Sequence, residues 1–313
     1  MAIMLMESIR DRRRYLRAAD WVGGNRSFQR NHLEGDIVRK YHVVEKALAM
    51  PDFRMRGGFD LVASLVADVN RWDHEFGNDE GTGSLQVEAA RRSLSAYRKR
   101  HADLGDDLDG LLDDFHDDAP TEDLVGGVAP TNSFEAGDRQ SLLKILKGRT
   151  SARVFEPELS LTDDELSDLA EIAIKAPSVC NRQTGRVHFY FGDKVQKLLE
   201  FQNGNRGFGH QVPGLIAVTS DMRYFLGHLE RNQPYVDGGL FSMQLLLGLQ
   251  GKGMGAVCLN WCVDRKTDHQ FREIAEIPDH EVIIMLIGFG RVRHDALSPS
   301  SFRLEGRKVF TKH

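Results

Sequence analysis

Residues 238–249 constrain the fold most. Leu240, Phe241, Met243, Leu245, Leu246 and Leu247 put apolar side chains nearly all round one helix, and such a helix has to be buried on most of its sides. The flanking chain must supply the layers that bury it. Residues 186–191 alternate, with Val187, Phe189 and Phe191 on one face, which predicts a strand. Residues 215–219, 256–261 and 282–288 read as three further strands. Thr162 and Glu165 form a capping box that opens a helix running to about Lys175, and 195–201 is a second helical stretch. The order is helix, strand, helix, strand, long buried helix, strand, helix, strand. This predicts an α+β fold, a mixed sheet flanked by helices.

Upstream the chain reads as helical. Ile9, Leu16, Ala19 and Val22 recur among arginines. Residues 32–50 place Ile37, Tyr41, Val44 and Leu48 on one face and stop at Pro51, since proline disfavours helix in the residue before it. Residues 59–76 (Leu61, Leu65, Val69, Trp72) and 85–97 form two more helices, with a loop at 77–83. Residues 103–118 are acidic, with Leu108, Leu111, Leu112 and Phe115 interleaved. They read as a short amphipathic helix, a solvated face or a tether, with a metal site as the sharper alternative. Pro120, Gly126, Gly127, Pro130 and Asn132 interrupt any periodicity, as in a linker or mobile loop. The expected organisation is a helical extension over 1–118, a linker over 119–140 and an α+β domain over 141–313.

The bulk numbers narrow the function classes. At 313 residues and 41% hydrophobic content the chain can bury a sizeable core. A net charge of -5 gives no reason to expect a nucleic-acid surface. Three cysteines, Cys180, Cys258 and Cys262, are too few and too oddly numbered for a disulfide framework and lack the partners of a zinc site. The longest apolar run, 282–287, is too short to cross a bilayer. The N-terminal residues are charged too early for a signal peptide. The expectation is a cytoplasmic protein with no metal, no nucleic-acid partner and no membrane insertion.

Gly251, Gly253 and Gly255 follow a helix and precede a strand, the reverse of a dinucleotide fingerprint. They are better read as a helix C-terminal turn. Three clusters carry more chemistry. Arg149, Ser151 and Arg153 either grip an anion or form a solvated basic turn. Pro177, Ser178, Asn181 and Gln183 either offer donors and acceptors to a heteroaromatic edge or are simple loop chemistry. Cys258, Leu259, Asn260 and Trp261 end a strand, where backbone can face a ligand or merely fill a core.

Taken in order, these motifs resemble the FMN-binding nitroreductase family. The resemblance runs from about Arg149 to Val309 and includes Asp237-Gly238-Gly239, which opens the apolar helix, and the late Gly288-Phe289-Gly290. It implies the nitroreductase-like α+β fold. Arg149, Ser151 and Arg153 match residues used on the FMN phosphate and pyrimidine edge. Pro177, Ser178, Asn181 and Gln183 match a loop that reaches FMN from the other subunit of a dimer. Cys258, Leu259, Asn260 and Trp261 match the strand end beside flavin N5. Asn203 and Arg206 look like a pair binding further along the cofactor, and Arg303 matches a late basic residue at the phosphate. The usual Pro-Trp after the glutamine is Thr184-Gly185 here, and a second basic residue before Arg303 is Ser301. Residues 41–48, 235–240 and 258–261 resemble a long-form subgroup associated with polysaccharide biosynthesis.

What the resemblance implies is an FMN-dependent oxidoreductase. It would pass hydride from NADH or NADPH to a small-molecule acceptor in two steps, as a homodimer with FMN at the interface. No residue is assigned as catalytic, because the cofactor carries the hard chemistry. The alternative is an FMN-binding or dimeric scaffold with little turnover, binding a partner through its N-terminal helices. His42, Glu45 and Lys46 share a helical face and either line a substrate pocket or form a surface network.

Overall fold

The computed structural model describes residues 2–19, 26–77, 84–113, 115, 126–129, 133–299, 301 and 303–313. Trp21, Val22, Pro120, Pro130, Asn132, the acidic Asp114, Asp117 and Asp118, and positions 78–83 of the expected loop lie outside them. The helical first third is present as α1 (Ala2–Ala19), α2 (Arg26–Ala49), α3 (Phe59–Phe76) and α4 (Leu85–Ala102). The predicted faces of α2, α3 and α4 meet in one core, whereas α1 packs through Tyr15, Ala18 and Ala19 against Met222, Phe225 and Val282. Ile37, Tyr41, Val44, Leu65, Val69 and Trp72 are buried together with Leu94 and Tyr97 of α4. Each such side chain contributes about 1.5–3 kcal/mol, so α2, α3 and α4 share an apolar core of their own.

The acidic stretch departs from expectation. It makes a single 3-10 turn at Leu108–Gly110 rather than an amphipathic α-helix. Leu108, Leu112 and Phe115 are buried against α2–α4, and Asp106 is buried in an ion pair with Arg56 at 2.6 Å. The apolar residues dock the segment, so it is not a freely solvated face over this span. Downstream, Ala136–Gly148 forms α5, whose N-terminus is held by a capping box between Glu135 and Asp138. The sequence reading had no helix there, because the acid pair lacks the usual Ser or Thr.

The second half continues with α6 (Asp163–Ile174), β1 (Gly185–Phe191), α7 (Asp193–Leu199), β2 (Gly214–Asp221), α8 (Gln233–Gly251), β3 (Gly255–Asn260), α9 (Arg265–Ala275) and β4 (Glu281–Gly290). The alternation matches the sequence reading element by element. The strands lie in the order β1-β2-β4-β3, and every pairing in this ladder is antiparallel. The sheet is thus antiparallel where a mixed one was expected, and the isolated parallel bridge between Ser151 and Ala256 lies outside its strand pairings. β2 is buried at every position because both of its faces are covered. Leu215 and Ala217 pack with Leu198 of α7 and Phe271 of α9, while Ile216 and Val218 pack with Leu245 and Leu249 of α8 and Leu169 of α6.

α8 approaches the sheet closely through Gly238. A Cβ there would stand 2.5 Å from Ile284 Cγ1. The helix is not buried on all sides, however. Tyr235, Val236, Leu240 and Met243 are 42–53% exposed. The apolar wheel anticipates more cover than one chain provides. Among the described residues no helix is long and apolar enough to cross a membrane.

Candidate functional site

Arg149 stops α5 by taking an extended conformation. The following residues then lie along β3, where Ala152 N donates to Ala256 O at 3.0 Å. Gly255 makes that approach possible. A Cβ there would meet Val292 Cγ2 at 2.2 Å and Ala152 Cβ at 2.7 Å. Gly255→Val is therefore expected to cost about 1–3 kcal/mol by overpacking, read as a lower urea midpoint. An unchanged midpoint would show that the segment can move aside freely.

The half-buried Arg153 turns its guanidinium over the Phe208 ring at 5.7 Å and donates from Nη1 to Ser151 O at 3.3 Å. The Arg149 charge acts on Cys258. Burial by surrounding protein raises that thiol, even though the residue keeps an exposed surface, and the Arg149 charge opposes the rise. Among the described residues neither Arg149 nor Arg153 has a carboxylate partner. Two guanidiniums with unused donors beside a strand end form a donor set that suits an anionic group. The residues present thus fit a phosphate-bearing cofactor.

The β3 end joins the same region. Gln202 is buried, and its Nε2 donates to Asn260 O at 3.0 Å. Asn205 Nδ2 donates to Leu199 O at 2.7 Å and Gln202 O at 2.8 Å, which shapes the turn carrying the exposed Asn203 and Arg206. Leu259 is buried in the core, while Cys258 and Asn260 are exposed. Trp261 packs on Phe271 with ring centroids 4.3 Å apart and donates its indole N–H to Asp268 at 3.0 Å. Arg303 is exposed and donates to Ser301 O at 3.2 Å. No contact among the described residues brings Arg303 to Arg149 or Arg153.

The second cluster stands apart from the first. Ser178 Oγ accepts from Gln183 N at 3.0 Å, and Gln183 Nε2 donates to Asn181 Oδ1 at 3.3 Å. Val179 N donates to Asp237 Oδ2 on α8 at 3.1 Å. Cys180, Asn181 and Gln183 have φ of 49°, 55° and 52°, a left-handed conformation costly for residues other than glycine. Pro177 is exposed at the start of this loop. The loop leads into β1, at the opposite sheet edge from β3. No hydrogen bond or ring contact among the described residues links it to Arg149, Ser151 or Arg153.

His42 and Glu45 sit on α2, which also packs against the second cluster through Tyr41 and Asn181. His42 Nδ1 is 3.7 Å from Glu45 Oε2, and Glu45 accepts from Gly127 N at 3.0 Å and Ser93 at 3.3 Å. Burial lowers His42, with Lys46 adding to the effect, and burial raises Glu45. Both shifts favour the neutral forms, so the pair is a polar network more than an ion pair.

Several residues that shape the site carry no local signal. Phe208 and Gln202 act across the chain. Arg182 is fully buried and forked onto Glu230 at 2.6 and 2.9 Å, 48 positions away. The glycine turn behaves as expected. Gly253 takes φ of 74°, and Met254 N donates to Leu249 O at 2.9 Å.

Comparison with known proteins bears on the same region. A model of the nitroreductase family matches residues 146–202. The chain is 22% identical over 204 residues to a Bacillus subtilis (strain 168) protein provisionally named NAD(P)H nitroreductase YodC, covering 54% of this chain and 97% of that one. A nitroreductase family protein from Streptococcus pneumoniae TIGR4 superposes with a TM-score of 0.47 at 22% identity, over 55% of this chain and 100% of its own. An FMN-dependent nitroreductase from Clostridium difficile R20291 superposes with a TM-score of 0.46 at 18% identity, over 55% of this chain and 99% of its own. The resemblance read from the motifs is borne out over residues 146–202, where the chain is similar to the nitroreductase family; that span holds both Arg149–Arg153 and the loop of Ser178, Asn181 and Gln183.

Proposed function

We propose that this protein is an FMN-dependent oxidoreductase that takes reducing equivalents from NADH or NADPH and passes them to a small-molecule acceptor. The observation that carries the reading is the pair Arg149 and Arg153, without carboxylate partners, laid on β3 beside an exposed strand end. Arg149, Ser151 and Arg153 would hold the cofactor phosphate and the polar ring edge, with Asn203, Arg206 and Arg303 further along. Cys258, Asn260 and Trp261 would border the ring. Bound FMN would supply hydride transfer at N5, in two half-reactions sharing one pocket. Preorganised guanidinium charge near the ring would favour its anionic reduced form.

The exposed apolar face of α8 supports a homodimer. A partner covering Tyr235, Val236, Leu240 and Met243 would bring a second chain near the cofactor region, where its Ser178, Asn181 and Gln183 could reach the ring. The division into a helical extension (1–118), a linker (119–140) and a cofactor domain (141–313), and a cytoplasmic location, belong to the same reading.

One observation favours the rival scaffold reading. Thr184 is buried and bonded to Ser220 at 2.9 Å, and Gly185 packs against Phe241, so neither offers an aromatic wall to a substrate. Stopped-flow reduction by NADH and NADPH separates the two, because a scaffold would not be reduced at a useful rate.

The first test is the visible spectrum of purified protein, with chromatography of any ligand released on denaturation. Flavin bands and free FMN are expected. Arg153→Ala is expected to weaken FMN binding roughly tenfold to a hundredfold, the value of a charge-assisted hydrogen bond. A colourless protein that also fails to take up added FMN, or full flavin content in the variant, would count against the proposal.

A further inference from the structure

α1 carries Arg10, Arg13, Arg14 and Arg17, spaced so that all four fall on one helical face. Like charges at this spacing repel and weaken a helix. The face borders a cavity of about 820 Å³ whose other side includes Arg265 and His269 of α9. That volume lies within the range of small-molecule sites, about 300–1,000 Å³.

The acids nearby account for only part of this charge. Arg14 donates to Asp268 at 2.6 Å and is 3.7 Å from Asp279. Arg10 is 3.4 Å from Asp11 and 4.0 Å from Asp268. Arg13, Arg17 and Arg265 have no carboxylate within 4.0 Å among the described residues. Positive charge is therefore concentrated in one recess of a chain whose net charge is -5. None of the residues placed at the flavin site lines this recess.

We infer that this cavity binds a small polyanion, a molecule carrying a diphosphate or an equivalent pair of anionic groups. Every cationic side chain longer than histidine in its wall is arginine, whose planar fork matches phosphate oxygens in pairs. Phe28 and His280 meet edge to face at 5.7 Å on the same wall and give an organic portion an aromatic surface to rest on. The recessed shape and the acidic balance of the chain favour a small molecule over a nucleic acid. The recess is linked to the flavin-side strand end indirectly, through Asp268. Asp268 accepts from Arg14 on Oδ2 and from the Trp261 indole on Oδ1, so an anion that draws on Arg14 alters the surroundings of Trp261.

The test is calorimetric titration of the full chain with pyrophosphate and with ADP at about 0.15 M salt, with tryptophan fluorescence recorded in parallel. Saturable binding at one site per chain, weakening as salt rises, is expected. The double variant Arg13→Ala/Arg17→Ala removes two exposed side chains and should bind at least about tenfold more weakly. Arg265→Ala, on the opposite wall, should weaken binding as well. No saturable binding of either probe, full-strength binding by both variants, or tighter binding of duplex DNA than of the probes would each overturn the inference. Flavin content read in the same samples should stay at the wild-type value, so failure here is distinct from failure of the flavin assignment.

Discussion

Asp268→Ala is expected to destabilise the fold by about 3–5 kcal/mol, the usual effect of leaving a buried charge without its partner. Asp268 is 3% exposed and accepts from Arg272 Nε at 3.0 Å, Arg14 Nη2 at 2.6 Å and Trp261 Nε1 at 3.0 Å. Arg272 is itself 5% exposed, and its Nη1 donates to Pro278 O and Glu281 O at 2.9 Å. Those carbonyls fix the guanidinium in place, so it cannot swing out to water once the carboxylate is gone. The variant also loses the tie between α1 and α9. Urea unfolding measures the loss. A change below about 1 kcal/mol, the level of an exposed pair, would mean that water reaches Arg272 in the folded protein.

The same carboxylate predicts an acid limb. Burial alone would raise the Asp268 carboxyl, but Arg272, the Trp261 indole and Arg14 outweigh it and hold it at about 2, below its ordinary 3.8. A depressed folded value means that the unfolded chain takes up the proton first. The stabilisation is thus complete above the ordinary value and is lost as pH falls from about 4 to about 2, by about 2 kcal/mol. Asp268→Ala should flatten that part of the profile. Parallel losses in wild type and variant would assign the limb to other acids.

The second large effect is expected for Glu230→Ala, again about 3–5 kcal/mol. Glu230 holds the fully buried Arg182 in a two-pronged contact at 2.6 and 2.9 Å and accepts from Leu226 N at 2.6 Å. Arg182 lies inside the loop whose neighbours Cys180, Asn181 and Gln183 keep left-handed backbone. Such conformations persist where the surroundings over-determine them. Release of Arg182 should let the loop relax, with lower flavin content as a second readout. The double variant Arg182→Met/Glu230→Leu should regain most of the stability, since an apolar pair of similar volume can replace a buried ion pair. Failure to regain it would point to the loop backbone rather than the charge.

Much of the fold was legible because its signals are local. The α6 cap at Thr162 and Glu165, the α3 face of Leu65, Val69 and Trp72, and the alternation in β1 all arise within one or two turns of chain. Hydrogen bonding and periodic burial act over that range. The candidate cofactor residues were legible as motifs. Their grouping was not, because Arg153 meets Phe208 and Gln202 meets Asn260 only after the chain has folded.

Element order, strand identity and the buried character of β2 and of one side of α8 follow from side-chain pattern alone, since burial repeats with the backbone period. The sheet order β1-β2-β4-β3, the docking of the acidic turn by Leu108 and Phe115, the bare face of α8 and the charge balance around Asp268 come from tertiary structure. Each depends on which distant surfaces meet. Periodicity states that a face must be covered, but what covers it, and which charge finds a partner there, is settled by three-dimensional packing.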